Sequence, residues 1–136
     1  MKHFNVAAAV FIQNNKVFCA QRKDAGETAK LWEFPGGKIE EGETPGQALE
    51  REIQEELCTK IRVEDFITTV NHEYKTFSIT MHVYLCTILS GSLTLTEHLD
   101  SRWLSADELD TVNWAPADVP IVEKVRERMR SYTSKD

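Results

Sequence analysis

The sequence predicts an α+β domain, a mixed β-sheet with helices packed on it, and three observations lead there. Runs rich in β-branched and aromatic residues recur at residues 6–12, 17–22, 61–73 and 76–89. A capped, amphipathic stretch at residues 45–57 stands between the first and second pair of runs, and another at about residues 120–130 closes the chain. No strand–helix–strand alternation connects these pieces, which argues against a doubly wound parallel sheet.

Taken in order, residues 6–12 and 17–22 flank Asn14-Asn15, residues that tolerate positive φ, and are expected to form a β-hairpin. Residues 23–31 show no periodicity and read as a loop; a short apolar piece at residues 31–34 follows and is ended by Pro35-Gly36-Gly37. Thr44 is a good N-cap, Pro45 suits the first helical position, and Gln47 stands where a capping box needs it. Leu49, Ile53 and Leu57 make the buried stripe of that helix, which should stop near Cys58-Thr59 as β-branched residues take over. Gly91 marks a turn, residues 93–95 and 101–104 resemble short strands, and Ser105 with Glu108 forms a second capping box for a brief helix. With no repeat, low-complexity tract or linker, residues 1–136 are expected to form one domain.

Composition narrows the function. The 22 acidic and 16 basic residues leave a net charge of -6, a field that repels the backbone of DNA or RNA. A small phosphorylated ligand escapes that objection, because a divalent cation arriving with it neutralises its charge. Cys19, Cys58 and Cys86 are odd in number and widely spaced, without a Cys-x-x-Cys pair, as in a reducing compartment. The apolar run at residues 6–12 lacks a cleavage site, and no run approaches the roughly 20 apolar residues of a membrane span, so a cytoplasmic protein is expected.

The helix at residues 45–57 is unusually acidic. Glu52, Glu55 and Glu56 stand at i, i+3 and i+4 and share one face, where like charges destabilise a helix. A hard divalent cation reverses that cost, since Mg²⁺ takes oxygen ligands and carboxylates supply them. On the helix alone, the other explanation is a solvated acidic surface.

The surroundings of the helix separate the two. Gly37, five residues, Glu43, seven residues, then Arg51-Glu52-Ile53-Gln54-Glu55-Glu56-Leu57 resembles the Nudix box, G-x5-E-x7-R-E-U-x-E-E-x-G-U, where U is aliphatic. The pattern departs at its end, where Cys58 replaces the last glycine and Thr59 the last aliphatic residue. A left-handed C-cap is common there, so the substitution touches the helix stop rather than the carboxylates. Residues 31–40, Leu-Trp-Glu-Phe-Pro-Gly-Gly-Lys-Ile-Glu, and residues 114–120, Trp-Ala-Pro-Ala-Asp-Val-Pro, are similar to the MutT branch of the family, including its cytidine triphosphate pyrophosphohydrolases.

That resemblance implies the Nudix α/β/α sandwich, with a mixed sheet and helices on both faces. It further implies hydrolysis of a nucleoside triphosphate to monophosphate and pyrophosphate, with Mg²⁺ as cofactor or Mn²⁺ in its place. By position, Glu52, Glu55 and Glu56 resemble the family's metal-binding carboxylates, the Gly36 carbonyl its backbone ligand, and Glu97 a further carboxylate from outside the helix. Arg51 resembles the residue that holds a catalytic glutamate in place, and Glu43 a carboxylate that fixes the loop-to-helix junction; a simple ion pair is their other explanation. Arg22 and Lys38 fall where MutT-like proteins contact phosphate.

Asp118 aligns with the residue that reads the base edge in this branch. An ionised carboxylate only accepts hydrogen bonds, which suits the cytosine amine and opposes the O6 acceptor of an oxidised guanine unless Asp118 is protonated. A cap on the last helix is the competing role for this residue. His3, His72, His82 and His98 show no metal-ligand spacing and are expected to be strand or turn residues, while Phe77, Ile79, Met81, Val6 and Ala8 are candidates for a base pocket or for the core. Tyr74 loosely resembles the tyrosine of dinucleoside-polyphosphate members. Hydrolysis of a dinucleoside polyphosphate or nucleotide-sugar, a non-catalytic nucleotide-binding module and a cation buffer are the competing functions; the base preferred, the general base among Glu43, Glu56 and Glu97, and the choice of monomer or homodimer stay open.

Overall fold

Thr44 caps helix α1 (Pro45–Leu57) in the computed structural model, which describes residues 1–133. The expected capping box forms: the Thr44 hydroxyl accepts from the Gln47 N–H at 3.1 Å, and the Gln47 side chain accepts from the Thr44 N–H at 2.9 Å. Leu49, Ile53 and Leu57 are buried as the periodicity requires. Each contributes roughly 1.5–3 kcal/mol by leaving water.

The strands are β1 (Lys2–Val10), β2 (Ile12–Gln13), β3 (Lys16–Gln21), β4 (Trp32–Glu33), β5 (Gly36–Lys38), β6 (Lys60–Glu73), β7 (Phe77–Ser90) and β8 (Asp100–Leu104). They divide into two four-stranded sheets, one ordered β5-β1-β7-β6 and one in which β3 is flanked by β2, β4 and β8. The expected hairpin survives only at its tip, where Ile12 and Gln13 pair with Val17 and Lys16 around Asn14 and Asn15, both at positive φ. The rest of that first run leaves the hairpin at Phe11 and belongs to β1, which starts earlier than expected and pairs parallel with β7 from Lys2 opposite Phe77 to Val10 opposite Leu85.

Pro35-Gly36-Gly37 does not simply end a strand. Gly36 to Lys38 run antiparallel on β1, with Gly36 opposite Ala8 and Gly37 opposite Ala7. The approach is so close that a Cβ at Gly36 would lie 1.9 Å from the Ala7 carbonyl oxygen, which restricts the position to glycine. Residues 93–95, expected as a strand, form none, because their backbone bonds to the end of α1 instead: Thr94 N–H reaches Leu57 O at 2.9 Å, and Leu93 takes a positive φ of 53°. The brief helix after Ser105 is a 3₁₀ turn at Ala106–Thr111, with the Glu108 carboxylate accepting from the Ser105 N–H at 2.9 Å. The last helix, α2, runs Val119–Thr133, longer than expected at both ends.

Alternation along β1 and β3 builds the sandwich. Ala7, Ala9, Phe18 and Ala20 pack with α1, whereas Ala8, Val10, Val17 and Cys19 pack with Ile121, Val122, Val125 and Met129 of α2. Cys58 closes α1 in the left-handed conformation, φ 52°, its N–H bonded to Gln54 O at 3.2 Å. Thr59, in the aliphatic position of the box, is fully buried yet satisfied: its hydroxyl donates to Leu57 O and accepts from the Leu93 N–H, both at 2.8 Å. The two departures from the box thus serve the turn after the helix. Residues 134–136 of the expected domain lie outside the described residues.

Candidate active site

Arg51 is the knot of the site. All five of its N–H groups are used: Nε and Nη2 grip the Glu43 carboxylate at 2.8 and 2.9 Å, Nη2 also reaches Lys38 O at 3.0 Å, and Nη1 reaches Glu52 at 2.8 Å and Glu55 at 3.4 Å. Glu43 in turn accepts from the Glu40 N–H at 2.9 Å. These bonds tie the turn between β5 and α1 to the helix, and they hold the Glu43 carboxyl down to about 2, with the Arg51 guanidinium as the main cause and the Glu40 amide second.

Beside this knot opens a cleft of about 610 Å³, walled by β1, β5, β7, the carboxylate face of α1 and the connecting segments that carry Arg22, Glu97 and Asp118. Of the expected site residues, the cleft brings together Arg22, Gly36, Lys38, Glu52, Glu56, Glu97 and Asp118. Glu43 and Arg51 brace it from behind. Glu55 does not reach it: its side chain is 61% exposed and turned to Arg51.

The carboxylates inside are crowded. Burial first, then the charge and hydrogen bond of Glu52, push the Glu56 carboxyl up to about 7, with Glu97 adding to the push and His98 opposing it. Gly37 makes room for this pair, since a Cβ there would lie 2.4 Å from the Glu52 carboxyl carbon. Among the described residues no three His, Cys, Asp or Glu side chains stand in a ready-made coordination geometry. The donors are nevertheless all carboxylate or carbonyl oxygens, the set a hard divalent cation takes, and a cation among Glu52, Glu56 and Glu97 would offset the crowding felt by Glu56.

The far end of the cleft is apolar, floored by Val6, Ala8, Phe77, Ile79 and Met81, and Asp118 sits there nearly fully buried. Its Oδ1 accepts from the Phe34 N–H at 3.0 Å rather than capping α2. Burial, and then the nearby Glu33 charge, raise its carboxyl well above the ordinary range, against the pull of the Phe34 amide and Arg22. The shift favours protonation, the condition under which the sequence-based case against an oxidised guanine lapses, since a protonated acid carries a donor beside an acceptor. Tyr74 lines the same end and accepts from the Ala117 N–H at 3.0 Å through its hydroxyl. The loop carrying Lys23 and Thr28 is strapped over this end by Glu27, whose carboxylate accepts the Lys75 N–H at 2.8 Å and the Thr76 N–H at 3.3 Å.

Of two further cleft residues, Glu33 was given no role from the sequence and His98 was expected to be only a strand or turn residue. Glu33 bridges Arg22 Nη1 at 3.0 Å and His98 Nε2 at 2.9 Å. His98, unlike His3, His72 and His82, lies outside the strands and borders the cleft. The signal available was position alone: Glu33 lies inside the MutT-like stretch, and His98 follows Glu97. Lys38 lies over the Phe4 ring, 4.1 Å from its centre, which sets its ammonium on the cleft wall.

Comparison with known proteins agrees with this architecture. The NUDIX domain family model matches residues 6–124. The chain is 36% identical over 123 residues to the CTP pyrophosphohydrolase of Escherichia coli K12, covering 90% of this chain and 91% of that protein. It is 32% identical to the 8-oxo-dGTP diphosphatase of the same organism over 93% of this chain and 98% of the other. The solution structure of the E. coli ORF135 protein superposes with a TM-score of 0.80 at 33% identity, covering all of this chain and 96% of that one. The chain belongs to the Nudix hydrolase family, in its MutT-like branch. Among the described residues no helix is long and apolar enough to cross a membrane.

Proposed function

We propose that the protein hydrolyses nucleoside triphosphates to the monophosphate and pyrophosphate, using Mg²⁺ or Mn²⁺ held by Glu52, Glu56, Glu97 and the Gly36 carbonyl. One observation carries the reading: the Arg51–Glu43 knot holds Glu52 on the wall of a cleft whose opposite end is an apolar pocket closed by Asp118. A triphosphate fits that order, charge at the carboxylate end and base at the apolar end. The cation, when bound, neutralises phosphate oxygen charge and lowers the pKa of the attacking water. Arg22 and Lys38 supply further positive charge at the wall, and Arg51 keeps Glu52 from swinging away. Glu55, exposed beside Arg51, supports the helix face and joins the ligands only by a side-chain rotation. Asp118 and the apolar floor orient the base, and a neutral Asp118 presents both a donor and an acceptor, compatible with cytidine-type and oxidised guanine nucleotides alike. Three free cysteines fit action in the cytoplasm, as a monomer or homodimer.

The test is a panel of ordinary nucleoside triphosphates, 8-oxo-dGTP, 5-methyl-dCTP, ADP-ribose and diadenosine tetraphosphate with Mg²⁺, the products resolved as pyrophosphate or phosphate. Pyrophosphate from a triphosphate is expected; turnover confined to ADP-ribose or the dinucleotide contradicts the assignment.

A further inference from the structure

Glu97 has no strand or helix of its own to aim it. It lies in an irregular segment between β7 and β8, yet that segment is fastened on both sides of it. Before it, the Thr96 hydroxyl donates to the Glu56 carbonyl at 2.6 Å and the Thr94 N–H to Leu57 O at 2.9 Å, so this arm is attached to the end of α1. After it, Leu99 N–H bonds Gln21 O at 3.0 Å and His98 Nε2 bonds Glu33 Oε2 at 2.9 Å. A carboxylate only accepts, so Nε2 carries the hydrogen of that bond. The other oxygen of Glu33 is held by Arg22 at 3.0 Å.

The His98 side chain is only 6% exposed, and its Nδ1 is buried with no hydrogen-bond partner among the described residues. An apolar side chain of similar size would fill that space without an unpaired polar atom. The polar contact that distinguishes the imidazole from such a side chain is its bond to Glu33.

We propose that His98 is a positioning residue: its bond to Glu33, acting with the Thr96 bond on the other side, aims Glu97 into the cleft opposite Glu52 and Glu56. Through the shared Glu33 carboxylate the same bond couples the Glu97 arm to Arg22. The inference rests on the reading of Glu97 as a cation ligand given above.

The test is Mn²⁺ binding without nucleotide, followed by calorimetry or by loss of the free-ion paramagnetic signal, together with kcat, KM and melting temperature. His98→Leu is expected to weaken Mn²⁺ binding and kcat about tenfold, with a smaller change in KM, because partners behind a ligand typically control affinity by that order. His98→Gln places an amide N–H near the position of Nε2 and restores most of both. Thr96→Val, which leaves the imidazole in place, weakens Mn²⁺ binding in the same direction. If His98→Leu lowers only the melting temperature, or if Gln is no better than Leu, the positioning role is wrong. Glu97→Gln separates the two claims: if it binds Mn²⁺ as the wild type does, the ligand assignment falls and this inference with it. If it weakens binding while His98→Leu does not, only this inference falls.

Discussion

Arg51 and Glu43 face each other through two parallel hydrogen bonds, Nε to Oε2 at 2.8 Å and Nη2 to Oε1 at 2.9 Å, across the turn that leads into α1. The remaining guanidinium hydrogens hold Glu52, Glu55 and the Lys38 carbonyl, so one side chain sets the β5–α1 turn and the acidic face together.

Arg51→Lys keeps the charge and loses the fork. A lysine satisfies one or two of these acceptors as a point charge, leaving Glu43 and Glu52 free to separate. Activity is expected to fall about a hundredfold, the typical cost of a small misplacement near the reacting atoms, with a lower melting temperature measured in parallel. Near-wild-type kcat in Arg51→Lys would show that the fork is dispensable.

The same pair gives an acid-side signature. The Glu43 carboxyl is lowered from the ordinary 4.5 to about 2, so the folded state holds its proton less tightly than the unfolded chain does. Its contribution is complete above 4.5 and is lost as pH falls from there through about 2. Melting curves over that range are expected to fall less steeply for Glu43→Gln than for the wild type. Parallel curves would place the Glu43 carboxyl at its ordinary value.

Asp118 gives the opposite sign. Its carboxyl is raised above the ordinary 3.8, so as pH climbs past 3.8 the unfolded chain ionises before the folded protein does and stability falls. Asp118→Asn keeps an acceptor for the Phe34 N–H and removes the titration. Its advantage in melting temperature is expected to grow as pH rises above 3.8. An advantage that stays constant over that range would mean that Asp118 titrates as an exposed acid does.

Gly36→Ala tests the close contact of β5 with β1. The added methyl meets the Ala7 carbonyl, a backbone atom that cannot turn aside, so β5 must shift outward and carry the Gly36 carbonyl with it. Overpacking of this kind costs roughly 1–3 kcal/mol. Denaturant melts showing no loss of stability would mean that β5 stands further from β1.

The helix that carries the site was legible because its information is local. Thr44, Pro45 and Gln47 state the start, the 49/53/57 stripe states the buried face, and the structure places all three where the spacing puts them. The partition of strands between two sheets was not legible. Residues 6–12 look like one continuous strand, but the change of partner at Phe11 depends on β7, whose pairing residues lie 75 positions further on. Gly36-Gly37 reads as a turn from glycine content, whereas the glycines are there to let β5 approach β1. At the site, the box pointed to Glu43, Arg51, Glu52, Glu55 and Glu56, but the exposed rotamer of Glu55 depends on which carboxylates Arg51 can reach at once. The bond between Glu33 and His98 was not legible because it joins residues 65 positions apart and has no spacing of its own.

The most direct test of the central claim is Glu56→Gln, assayed for pyrophosphate release from a nucleoside triphosphate with Mg²⁺ and for melting temperature. The substitution keeps the shape of the side chain and removes a buried carboxyl pressed against Glu52, so the protein should melt no lower than the wild type. Loss of a side chain that serves as ligand or base should reduce turnover by about 10²–10⁴-fold. A folded Glu56→Gln protein that releases pyrophosphate at the wild-type rate would contradict the assignment of the α1 carboxylates as the catalytic centre.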